Sequence, residues 1–176
     1  MSRPQTGSHE VLCGGIAFSH VVEQHWISVY RLLYRMSGEA HDAEDLTQET
    51  FLRAFERRDS FRPGTNMRAW LMRIASNALF DLQRKRRTAR ATPLDDKQVQ
   101  AAPTPAGPAE TAELGGLLAE ALARLPETQR LVFLLRSTEE LSFRDIAGAI
   151  GTSEETARWH MLQARRQLLT MLDGKL

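Results

Sequence analysis

The stretch DAEDLTQETFLRAFERRDSFRPGTNMRAWLMRIASNALFDLQRKRR, Asp42–Arg87, decides the fold, because it reads as two consecutive amphipathic helices of opposite charge. Residues 39–56 carry Glu39, Asp42, Glu44, Asp45, Glu49 and Glu56 against Arg53 alone. Residues 57–90 carry ten Lys or Arg against Asp59 and Asp81. The formal net charge of +1 therefore conceals a bipolar surface. Such a surface suits a basic protein on one side and phosphates on the other, so a bridging function is expected.

The first of these helices is expected to begin near His41 or Asp42, with Asp42, Glu44 and Asp45 in the first turn, where the macrodipole favours negative charge. It ends near Arg57. Leu46, Thr50 or Phe51, and Phe55 follow helical spacing toward a core, which leaves Asp45, Gln48, Glu49 and Arg53 outward. In DSFRPGTN, residues 59–66, Pro63-Gly64 marks a loop and Asn66 is placed to cap the next helix. That helix points Met67, Trp70, Leu71, Ile74, Ala78, Leu79 and Leu82 inward and leaves Arg68, Arg73, Asn77, Gln83 and Arg84 elsewhere. Trp70 is expected to pack in the core.

Upstream, Val22, Trp26, Val29, Leu33 and Met36 recur at three and four, a further amphipathic helix that Gly38 stops. Residues 1–17 are expected to be an N-terminal tail. Its Cys13 has no cysteine or histidine at ligand spacing, so neither a disulfide nor a zinc role is expected. VLCGGIAF is too short and glycine-broken for a signal peptide, and no apolar run approaches the roughly 18 residues of a membrane span. A cytoplasmic protein without membrane insertion is expected.

Downstream, residues 91–112 change character. Pro93, Pro103, Pro105 and Pro108 interrupt any helix and aromatic residues vanish, as in an extended flexible linker. After it, Leu114–Leu125 and Glu127–Ser137 show helical spacing, with Pro126 suited to a first turn. LSFRDIAGAIGTSEETARWHMLQARRQLLTML then offers Ser142 as a cap, Ile146, Ala147 and Ile150 as an inner face, Gly151 as a turn and Ser153 as a second cap. Helix, glycine turn, capped helix is the helix-turn-helix pattern, with its second helix suited to the major groove. There Thr156, Arg158, Trp159, His160 and Gln163 are placed early enough to meet bases or phosphates, and Ala157, Met161, Leu162, Ala164 and Leu168 are the expected inward positions. Arg158 is chemically able to read guanine and Gln163 adenine, with Arg165 and Arg166 adding positive charge. The chain of 176 residues, 42% hydrophobic and 26% charged, thus reads as an all-α protein. Two small helical domains, 18–90 and 113–176, are joined by the linker.

DAEDLTQETFLRAF, AWLMRIASNALFD and the C-terminal helix-turn-helix, in that order around a variable linker, resemble bacterial sigma factors of the extracytoplasmic-function group, in the sigma-70 family. The resemblance covers about 18–87 and 114–171. It implies a non-catalytic initiation factor, without cofactor or metal, that binds core RNA polymerase and promoter DNA. The acidic helix of region 2 would dock on the polymerase β′ clamp helices through Asp42, Asp45, Gln48 and Glu49, with the β subunit as a further contact. The loop and basic helix of region 2 would hold flipped bases of the −10 element near Thr65, Asn66, Arg68, Arg73, Asn77 and Arg84; extruding a base costs a few kcal/mol that pockets and phosphate contacts must offset.

Region 4 of the family reads the −35 element, often with a T-V-x-S-R-x-x-R-A-R pattern. Thr156, Arg158, Trp159, His160, Gln163 and Arg165 fall on it, but Trp159 replaces the usual Ser, and His160 and Gln163 replace arginines. An altered −35 preference is expected. Relatives are commonly held by an anti-sigma factor that covers the polymerase and DNA surfaces. Two other classes stay open from the residues alone: a stand-alone helix-turn-helix regulator, which leaves the acidic helix unexplained, and a nuclease using Asp42, Glu44, Asp45 and Glu49 to hold Mg²⁺, against which the divergence of carboxylates on one helix argues.

Overall fold

The computed structural model describes residues 12–90 and 109–173. Among them, helices dominate: α1 Phe18–Ser37, α2 Ala40–Glu56, α3 Met67–Arg90, α4 Ala109–Ala123, α5 Glu127–Ser137, α6 Phe143–Ile150 and α7 Glu154–Leu172. The all-α expectation holds. Residues 91–108 of the expected linker lie outside the described residues, and 109–112 belong to α4. The expected N-terminal tail needs correction over 12–17, where β1 Leu12–Cys13 pairs antiparallel with β2 Ile16–Ala17.

Helix ends follow their local chemistry. Gly38 takes the left-handed conformation, φ 76°, and its N–H donates to the Tyr34 carbonyl, ending α1. Asn66 Oδ1 accepts the Ala69 N–H at 3.2 Å at the start of α3. Ser142 and Ser153 each accept a backbone N–H at 3.1 Å, from Asp145 and Thr156, as capping residues do. Pro126 stands at the N-cap of α5, one place before the first-turn position expected of it.

The first three helices enclose a core of Val29, Leu33 and Met36 from α1, Ala43, Leu46 and Phe51 from α2, and Leu71, Met72 and Leu79 from α3. Burying each large side chain contributes about 1.5–3 kcal/mol. Trp26 stacks on Phe51 with ring centroids 5.4 Å apart. Phe55 departs from expectation: Ala54 takes the buried place, and Phe55 is 39% exposed against the edge of Phe18. The inward register runs Leu46, Thr47, Thr50, Phe51, Ala54, and Phe55 lies one position past it.

The remaining helices pack around α7, with Leu131, Leu134, Leu135 and Ile146 buried and Ala121, Leu125, Ala164 and Leu168 forming a smaller cluster between α4 and α7. The two helical sets are joined, because α6 lies on α3 and α5 meets α1, so that one apolar core runs through both. At this boundary Arg130 is 4% exposed, and its Nη2 donates to the Met36 carbonyl at 3.1 Å. Its Nε and Nη1 find no partner among the described residues. Arg68 reaches the Glu139 carbonyl at a long 3.5 Å, and Arg87 pairs with Glu127 at 3.0 Å. Burial pushes the Glu139 carboxyl above its ordinary value, against the opposing pull of Arg68.

Candidate protein-binding and nucleic-acid surfaces

On α2 the expected polymerase-facing residues divide. Asp45 and Gln48 are exposed, one turn apart, and among the described residues His41 is the ion-pair partner of the Asp45 carboxylate, at 3.5 Å. Asp42 is not free: its side chain is 17% exposed and held by Arg86 of α3 at 2.7 Å. Glu49 is half-buried and holds Arg53 at 2.6 Å. Arg53 bridges on to Asp81 of α3 at 3.1 Å, and Asp81 in turn holds Arg84 at 2.9 Å. Leu52, which sequence reasoning missed, is 65% exposed four residues after Gln48 and thus on the same face. Its signal lay in the register, since Phe51 and Ala54 leave no inward place for it.

The expected −10 residues also divide. Arg73, Asn77 and Arg84 are exposed and separated by four and seven residues, so they share one stripe of α3. Asp81, beside them, neutralises part of the charge of Arg84. Arg68 lies nine residues before Asn77, two and a half turns, and so faces the opposite way, toward Glu139 of the second helical set. It therefore does not share the stripe of Arg73, Asn77 and Arg84. Thr65 and Asn66 are exposed in the loop, but both side chains are engaged locally: Thr65 Oγ1 donates to the Arg62 carbonyl at 2.7 Å, and Asn66 caps α3. Trp70 is half-buried and tilted against Phe61, with centroids 5.3 Å apart.

On α7, Thr156, Arg158, Trp159 and Arg165 are exposed. Arg158 is held in place by Glu154 at 3.1 Å and lies 4.8 Å over the Phe143 ring of α6, an arrangement that fixes a long side chain before any ligand arrives. Trp159 is 52% exposed, edge-on to His160. His160 and Gln163 are half-buried, and burial lowers the His160 imidazole below its ordinary 6.5. Leu162, expected inward, is 48% exposed. It lies three or four residues from Arg158, Trp159, Arg165 and Arg166, so it occupies the middle of the outer face. Ala157, Ala164 and Leu168 fill the inward register that displaces it. Arg165 and Arg166 have no ion-pair partner among the described residues.

Residues 21–89 match the family model for Sigma-70 region 2, and residues 115–168 that for Sigma-70, region 4. The ECF RNA polymerase sigma factor EcfG of Rhodopseudomonas palustris is 36% identical over 139 residues, covering 78% of this chain and 75% of the relative. SigE of Mycolicibacterium smegmatis is 40% identical over 155 residues, 86% of this chain, which spans 60% of that relative's length. SigW of Bacillus subtilis is 28% identical, with 89% of each chain covered. Among solved structures, the sigma factor RpoE in complex with the anti-sigma factor NepR from Bartonella quintana superposes with a TM-score of 0.76 at 26% identity, over 89% of this chain and 96% of that one. CnrH in complex with the cytosolic domain of CnrY gives 0.65 at 28%, over 91% and 90%. With both regions matched in order and the fold shared, the chain belongs to the extracytoplasmic-function group of RNA polymerase sigma factors.

Proposed function

We propose that this chain confers promoter choice on core RNA polymerase through three surfaces set on separate faces of the fold. The observation that carries the reading is the division of charge across α2 and α3: an exposed Asp45, Gln48 and Leu52 face on one helix, and an exposed Arg73, Asn77 and Arg84 stripe on the next. The first face offers a partner both carboxylate and apolar contact, which suits the β′ clamp helices. The second, with the Arg62–Asn66 loop, offers guanidinium and amide groups to the non-template strand of the −10 element. The outer face of α7, centred on Arg158, Trp159, Leu162, Arg165 and Arg166, reads the −35 element.

The chain works by binding and catalyses no reaction of its own, which accords with its family. No described helix is long and apolar enough to cross a membrane, and a factor that meets polymerase on promoter DNA acts in the cytoplasm. An anti-sigma factor is a further partner in this reading, supported by the complex in which the RpoE neighbour was solved. A stand-alone regulator is not favoured, since it gives the region 2 match no role.

Run-off transcription with purified core polymerase on a library of host promoter fragments tests the proposal. Native protein yields specific transcripts, and Asp45→Arg with Leu52→Glu abolishes them while the chain keeps its melting temperature. Glu49 is left untouched in this variant because it holds Arg53. Retention of the transcripts, or tight specific binding of the chain alone to duplex DNA with no transcription, would overturn it. The departures on α7 are tested on the same templates: reverting Trp159→Ser, His160→Arg and Gln163→Arg together changes which −35 sequences are used, and unchanged selectivity counts against their role.

A further inference from the structure

The N-terminal hairpin precedes residue 21, where the region 2 match begins, and packs against Phe61 and the Arg58–Ser60 turn that lead into the loop assigned above to −10 capture. Cys13 pairs with Ile16 across Gly14 and Gly15, whose φ angles are +60° and +85°. A two-residue turn with both central residues left-handed is the type that matches strand twist and calls for glycine. The two glycines differ in surroundings. A Cβ on Gly14 would stand 2.5 and 2.7 Å from Cδ1 and Cε1 of Phe61, whereas one on Gly15 would meet nothing within 4 Å. The backbone of the turn therefore rests directly on the Phe61 ring.

Phe61 is 7% exposed and contacts Trp70, so the two rings close the base of the loop from either end. Cys13 is fully buried, and its thiol donates to the Arg58 carbonyl at 3.8 Å, a second tie to the short 3-10 turn Arg58–Ser60 that leads into the loop. Burial pushes that thiol above its ordinary value, as befits a packed side chain. Beyond this base, Arg62, Pro63, Gly64, Thr65 and Asn66 are all exposed. A buried base carries an exposed tip.

We propose that Gly14 is a positioning residue for −10 capture, acting through Phe61 to set the aim of the Arg62–Asn66 loop; the inference rests on the assignment of that loop above. The test uses holoenzyme assembled from core polymerase and the full chain. Fluorescence anisotropy compares a single-stranded oligonucleotide carrying the mapped non-template −10 sequence with a scrambled one. Gly14→Ala is expected to lower the preference for the −10 strand on the order of tenfold, since misplacement of a positioned group is felt steeply. Its affinity for core polymerase stays at the native level. Gly15→Ala carries the same left-handed strain without the ring contact and keeps the preference. Adding Phe61→Leu to Gly14→Ala makes room for the methyl group and restores part of it.

Native preference in Gly14→Ala, equal losses in the Gly14 and Gly15 variants, or a parallel fall in core affinity would each overturn the role of Gly14. Absence of any preference in the native holoenzyme would instead overturn the loop assignment, and the proposal with it.

Discussion

Leu162 stands among arginines on the outer face of α7, half-exposed in a position where an ordinary surface helix would carry a polar residue. Together with Trp159 it gives the reading face an apolar centre, and the one apolar group that a base edge offers in the major groove is the thymine methyl. The expected outcome is a dependence on that methyl. Replacing the thymines of the mapped −35 element by deoxyuridine removes nothing else, and lowers holoenzyme affinity by roughly fourfold per contacted methyl, taking about 0.8 kcal/mol for a buried group of that size. Leu162→Ala should bind both templates alike. Equal binding of the two templates by the native protein would refute methyl reading. His160 and Gln163, by contrast, are half-buried beside this centre.

At the scale of elements, the capped helix ends were legible because capping chemistry is local: Ser142, Ser153, Gly38 and Gly151 act within a few residues of themselves. Ser153→Ala should therefore cost about 1 kcal/mol, seen as a lower melting temperature in calorimetry, with Ser153→Asp close to native. An unchanged melting temperature for the alanine variant would show the bond to Thr156 to be idle. What stayed hidden were facts of register and of distant packing. Phe55 and Leu162 each sit one step from an inward position, and periodicity alone assigns a hydrophobic residue to the core wherever it falls near the stripe. The hairpin at 12–17 offered only two glycines in a short run, and its partner, Phe61, lies far along the chain. The burial of Asp42 depends on Arg86, 44 positions away, which no local rule connects to it.

For the whole molecule, the contact between the two helical sets was the least legible feature, since a variable linker separates them in sequence. Its character is unusual, because the core at the boundary encloses a guanidinium with two unpartnered donors. A buried charge of this kind is a weak source of stability, and apolar replacement is often neutral or stabilising by about 1–4 kcal/mol. Arg130→Met should thus keep or raise the melting temperature, while Glu127 retains Arg87. If opening of the boundary precedes polymerase binding, the same variant associates with core enzyme more slowly in stopped-flow fluorescence. A drop in melting temperature would show that the bond to Met36 outweighs the burial. The whole molecule also contains a line of alternating charge, Glu49, Arg53, Asp81, Arg84, that crosses from α2 to α3. A partner that draws Glu49 away leaves Arg53 to Asp81 alone, and Asp81 then holds Arg84 less tightly. Loss of Glu49 from one end of this line would thus loosen the Asp81–Arg84 pair at the other, a coupling carried by side chains alone.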